Sequence, residues 1–215
     1  VAHTRIADFC TWESAGQESW RKLGFSSVYL TPNKGILQGK AAHIALDNQD
    51  LARAVINADG LEFASLRSNT GGYPSTPMSA LAVLRQILLL QNSNESYPAI
   101  NIGETIVVRA NSAREIENFL DLQRDFDQQQ RTWVIYGGRD AYLHSDRLLK
   151  QRVAVLYQID FDEALESEDD LDIDDEQRDY WRTPSAQREE QRRLHQQQID
   201  GFIKLRNSGV WCGLM

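Results

Sequence analysis

Thr105-Ile106-Val107-Val108-Arg109, Ser112-Ala113-Arg114-Glu115 and Trp133-Val134-Ile135-Tyr136-Gly137-Gly138 belong to one stretch, and its reading decides the fold. The first and third pieces are short apolar runs rich in β-branched and aromatic residues, the composition of strands. Between them Ser112 and Glu115 stand at capping-box spacing, where each side chain satisfies a backbone donor that the first helical turn leaves free. The helix this opens carries Ile116, Phe119, Leu120 and Phe126 on one side, a stripe that faces a core. Beyond Gly137-Gly138 the pattern repeats, with a helix over 140–151 and a strand over 153–159. Strands this short and apolar, alternating with helices, are covered on both faces and imply a parallel sheet. Parallel neighbours joined by helices wind right-handedly, either into a barrel or into a doubly wound sheet.

Working outward, residues 12–23 read as a helix with Trp20 and Leu23 among its apolar residues and Gly24 as its stop. Extended stretches follow at 25–30, 41–46 and 61–66, the first closed by the turn Thr31-Pro32-Asn33-Lys34-Gly35. Residues 68–74 form a loop by composition. Thr76 then caps a helix that starts on Pro77, where the missing N–H costs nothing. That helix, to about residue 91, carries Met78, Leu81, Ala82, Leu84, Leu88 and Leu89 and is expected to be well buried. At the far end, 185–206 is an amphipathic helix with Leu194, Ile199, Phe202 and Ile203 on one side, leading to a strand at 209–214. Burial should peak at Val28, Leu30, Ile106, Val108, Val134, Ile135, Val155 and Leu156.

The 215 residues suffice for a substantial core, and 41% hydrophobic with 25% charged residues is ordinary for a soluble globular protein. A net charge of −8 disfavours nucleic acid as a partner, since phosphate binding needs a basic face. No apolar run approaches the roughly 18 residues of a membrane span. Cys10 and Cys212 are too few for a disulfide framework and lack zinc spacing, so both read as free thiols. Asp160 to Glu176 holds eleven acidic residues and no basic one, and 160–184 reads as a solvated, flexible loop rather than a calcium site. The chain begins at Val1, and its apolar end, Gly209 to Met215, has no helix after it; the expectation is a chain truncated at one or both ends.

Chemistry is sparse. His3, His43, His144 and His195 form no HxH or HExxH pair. Gly35-Ile36-Leu37-Gln38-Gly39-Lys40 falls one residue short of a phosphate loop, and Ala41 stands where Ser or Thr should hold magnesium. No GxSxG elbow is present. Gly137-Gly138 could bring backbone close to a ligand, although a tight turn into the next helix is the simpler reading.

The order of segments nonetheless resembles a known family. Gly24-Phe25-Ser26-Ser27-Val28-Tyr29-Leu30 through Pro32, Gly35-Ile36 and Gly39-Lys40-Ala41-Ala42 is similar to a recurrent segment of bacterial amidohydrolases related to imidazolonepropionase. Tyr73-Pro74-Ser75-Thr76-Pro77-Met78-Ser79-Ala80-Leu81 and the run from Ile106 to Tyr142 resemble later segments of the same proteins. The resemblance implies α/β architecture, here a partial or degenerate (β/α)8 TIM-like barrel with parallel strands over residues 1–215. It also implies zinc or another divalent metal at the C-terminal strand ends of the complete active family, where a metal-activated water attacks a C–N bond. The ligands such a site uses are an HxH on the first strand, a histidine on each of the fifth and sixth, and an Asp on the eighth. If 105–110 is the fifth strand, Arg109 stands at a ligand position, and if 133–136 is the sixth, Tyr136 stands at another. A guanidinium has no lone pair to give to Zn²⁺.

Two functions follow from these residues. The first is a fragment or degenerate member of a metal-dependent C–N hydrolase, inactive as this chain alone and holding no metal cofactor. The second is a non-catalytic binding or assembly domain on the same fold. A doubly wound domain binding a small molecule at its strand ends is a third. The candidate ligand-binding residues are Lys34, Arg109, Asn111, Tyr136 and Asp160, with no metal set and no assigned catalytic group. Expected partners are a second copy or a complementary segment covering the open strand edges, and a small-molecule substrate if the chain is active. The resemblance is to bacterial proteins and leaves cytoplasm and periplasm equally open.

Overall fold

The computed structural model describes residues 5–9, 14–46, 51–66, 74, 76–92, 103–126, 131–159 and 185–214. Its strands are β1 (Ser27–Leu30), β2 (Leu37–Lys40), β3 (Ala42–Ala45), β4 (Val55–Asn57), β5 (Glu62–Ser65), β6 (Thr105–Ala110), β7 (Thr132–Gly137), β8 (Ala154–Tyr157) and β9 (Cys212–Leu214). The helices are α1 (Ser14–Lys22), α2 (Leu51–Ala54), α3 (Pro77–Asn92), α4 (Ala113–Asp125), α5 (Ser145–Lys150) and α6 (Ser185–Asn207). A 3₁₀ turn at Ala141–His144 leads into α5, so the helix expected over 140–151 is split in two.

Two sheets are formed among the described residues. The larger has the order β2-β5-β6-β7-β8-β9, and from β5 to β9 every pairing is parallel. That run is the alternating strand–helix pattern of the sequence, with each strand beside the one before it. The expectation of parallel strands throughout fails at the front. β2 joins β5 antiparallel, and β1, β3 and β4 make a separate antiparallel sheet. The strand order among these residues is open, with β2 and β9 at its edges.

β2 is the element the sequence hides. Gly35 and Gly39 adopt φ of +92° and +107°, and the register shifts between Leu37 and Gly39. A bulge at a glycine breaks the period-two alternation that marks a strand, so a glycine-punctuated strand reads as a loop.

Helices α3 to α6 all pack on one face of the larger sheet. Ala80, Leu84 and Leu88 of α3, Ile116, Phe119 and Leu120 of α4, Leu148 of α5 and Leu205 of α6 share a core with Ile106, Val108, Trp133, Ile135, Val155 and Tyr157. Trp133 and Phe119 meet edge to face at 5.7 Å. The opposite face carries a smaller cluster, Ala41, Phe63, Val107, Val134 and Ala154, against which Leu61, Tyr136 and Leu156 pack.

Burial departs from expectation at particular residues. Val28 and Leu30 are only half-buried because β1 belongs to the small sheet, and Leu156 is half-buried on the face away from the helices. Met78 and Leu89 are exposed, while α3 buries Ala80, Leu84 and Leu88 and packs Leu81, Val83 and Ile87 partly against the core. Trp20 and Leu23 are exposed too, although Trp20 meets Phe25 at 5.6 Å. On α6 the buried seam runs through Gly201 and Leu205, leaving Leu194 and Ile203 at the surface.

Candidate functional site

Strand register builds a row of side chains at the C-terminal end of the larger sheet. Ser65, Arg109, Tyr136, Leu156 and Gly213 are mutual partners across β5 to β9. They lie on the face that α3 to α6 do not cover, because Tyr136 and Leu156 pack with the smaller cluster. The two residues that sequence reading singled out at strand ends, Arg109 and Tyr136, are thus neighbours. The Arg109 guanidinium carbon lies 5.6 Å from the Tyr136 ring centroid, within cation–π range. Phe63 also packs on this ring, edge-on to Tyr136 at 6.0 Å.

Arg109 is half-buried, and its Nε is enclosed without a hydrogen-bond partner. Among the described residues no carboxylate stands within ion-pair distance of it. A guanidinium held over an aromatic ring with an unsatisfied N–H is a fork awaiting an acceptor.

Lys34 reaches the same end of the sheet by a different route. Because β2 runs antiparallel to β5, the Ser65 amide donates to the Ile36 carbonyl at 2.8 Å. Lys34, two residues before Ile36, is exposed beyond the end of β5. Asn111 serves the scaffold. Its amide donates to Glu115 Oε2 at 2.8 Å, and its carbonyl accepts from the Asp140 amide at 3.0 Å. Its side chain lies over Gly137, where an added Cβ would sit 2.0 Å from Asn111 Oδ1. The Gly137-Gly138 pair is therefore a tight, left-handed turn filled by Asn111 and Val155, as the simpler reading of those glycines had it. Asp160, His3 and Cys10 lie outside the described residues.

The remaining candidates have ordinary structural duties. His43 Nε2 lies 2.9 Å from Ser27 Oγ, with its ring stacked on Tyr29 at 4.5 Å. His144 Nε2 lies 3.1 Å from the Ala113 carbonyl. Burial raises the Cys212 thiol above its ordinary range, which keeps it protonated and a poor nucleophile. Among the described residues no three His, Cys, Asp or Glu side chains converge as a metal set. The donors at the strand ends, a guanidinium and a phenol, do not fit a divalent cation.

Three features escaped sequence reading. Glu62 is fully buried with neither carboxylate oxygen hydrogen-bonded, and burial, only partly offset by Lys40, raises it to about 7. The Tyr157 hydroxyl, 2.8 Å from the Gln198 carbonyl and 3.1 Å from that of Arg139, is pushed up to about 12 by burial. Asp140 caps α4 from outside, its Oδ2 accepting from the Ala113 amide at 3.1 Å.

No family model and no curated protein matches the sequence. Among solved structures the chain is similar to an amidohydrolase from Thermotoga maritima MSB8, with a TM-score of 0.66 and 15% identity. The fold is amidohydrolase-like. The similarity covers all of this chain, which spans 57% of the length of that protein. No described helix is long and apolar enough to cross a membrane.

Proposed function

We propose that this chain is a degenerate or partial amidohydrolase-like domain, inactive alone in C–N bond hydrolysis, whose strand-end site receives a small carboxylate instead of a metal. The observation that carries this reading is Arg109, which projects from the end of β6 beside Tyr136 with an enclosed, unpartnered Nε. A fixed positive charge at that position repels a cation and suits a planar anion, which the guanidinium can grip through two parallel N–H donors. The Tyr136 ring lies under the guanidinium, and exposed Lys34 adds a second positive charge at the same sheet end. The similarity to the Thermotoga protein supports the architecture. The imidazolonepropionase-related ancestry belongs to this proposal and rests on the segments from Gly24 to Ala42 and from Tyr73 to Leu81.

Metal analysis of protein purified without chelator, together with acetate titration of the parent and Arg109→Gln, tests the reading. The expected result is no stoichiometric zinc and a saturable acetate response that the substitution abolishes. One equivalent of tightly held zinc, lost on replacing His43, would overturn it.

A further inference from the structure

A second charged site lies at the other end of the sheet, on the helical side. α4 leaves the C-terminal end of β6 and returns toward the start of β7, so its last turn lies at the strands' N-terminal ends, as does the last turn of α5. Between these two helix ends is a cavity of about 310 Å³ lined by Gln123, Arg124, Arg147, Lys150 and Gln151. Three of the five lining residues are cationic in a chain of net charge −8.

The simplest account of basic residues at helix C-termini is that they offset the exposed carbonyls of the last turn. That account leaves two observations unexplained. Among the described residues Asp121 is the one carboxylate ion-paired with this group: its Oδ1 accepts from Arg147 at 2.8 Å and lies 3.5 Å from Arg124. Lys150 has no carboxylate within ion-pair distance among the described residues, so the lining keeps an excess of two positive charges. Gln151, moreover, is fixed by donation from Nε2 to the Leu120 carbonyl at 3.2 Å, and its enclosed Oε1 accepts nothing.

We infer that this cavity binds a small phosphate monoester of a polyhydroxylated molecule, at a site separate from Arg109. Among the described residues the charge balance suits a dianion, since Arg124, Arg147 and Lys150 exceed their ion-pair partner Asp121 by two. The size admits a compact ligand, at the lower end of the 300–1,000 Å³ or so of small-molecule sites. The absence of any aromatic side chain from the lining disfavours a nucleobase, which is held by stacking. The unused Gln151 Oε1 suits a ligand hydroxyl, which can donate to it.

Amide and side-chain NMR titration with glycerol 3-phosphate, inorganic phosphate and glycerol tests this. Glycerol 3-phosphate should shift the Gln151 side-chain amide saturably, with a dissociation constant of about 1 mM or lower. Inorganic phosphate should bind more weakly, and glycerol should have no effect. Exposed Arg124 and Lys150 can be replaced together by glutamine without touching the Arg147–Asp121 pair, and circular dichroism checks that this variant folds. Binding should weaken roughly tenfold or more. Arg109→Gln should leave it unchanged, which separates this site from the strand-end proposal. No saturable response, a response that the double variant retains, or inorganic phosphate binding as tightly as the ester would overturn the inference.

Discussion

Among single residues, Glu62 sets the most distinctive physical condition. A carboxylate with no hydrogen-bond partner is costly to ionise inside a protein, so the proton stays on until about pH 7. In the unfolded chain the same group ionises near its ordinary 4.5. The folded state therefore binds the proton more tightly, and the associated stability is fully present below 4.5 and lost as pH rises through about 7. The change is on the order of 3 kcal/mol across that interval. Urea unfolding followed against pH should show this decline, and Glu62→Gln should flatten it and exceed the parent in stability on the alkaline side. An unchanged slope in the variant would assign the decline to another group. Neighbouring Lys40 is engaged elsewhere, its Nζ 3.3 Å from Asp59 Oδ1, which is why it relieves Glu62 only in part.

At the scale of elements, α4 shows how directly local chemistry can be read. Its Ser112–Glu115 box is present in both directions, and its stripe of Ile116, Phe119 and Leu120 is fully buried. Ser112→Ala should cost about 1 kcal/mol, since the Glu115 amide would lose its acceptor. Denaturant unfolding reads this directly; a variant as stable as the parent would mean that Asp140 alone suffices as the cap. Strands β6 to β8 were equally legible, because both of their faces are apolar. β2 was not, because Gly35 and Gly39 disguise a bulged strand as a loop. Nor was the antiparallel front sheet, since periodicity in 27–30 and 42–45 is silent about direction. In the candidate sites, Arg109 and Tyr136 were legible as strand-end residues. Their contact depends on register, which no single strand's sequence contains. Glu62 was illegible for a different reason: a charged residue at a strand start ordinarily marks the surface.

For the whole molecule, the open edge at β9 among the described residues is where association between copies is expected. Trp211 and Leu214 are exposed there, beside an unpaired strand side among the described residues. Such an edge is a template for another chain. Light scattering over a concentration series should therefore show self-association, and Leu214→Lys should reduce it by placing a charge on that edge. A monodisperse monomer at high concentration in the parent would exclude this surface as a contact between copies.

The strand order has a further consequence, for synthesis. From β6 to β9 each strand pairs with the one made before it, so no pairing in that run depends on residues still to be translated. Within the six-stranded sheet β2 alone must wait for its partner, β5. A sheet laid down in the order of the message extends at its newest strand, and the surface most in need of shielding during translation advances with the ribosome.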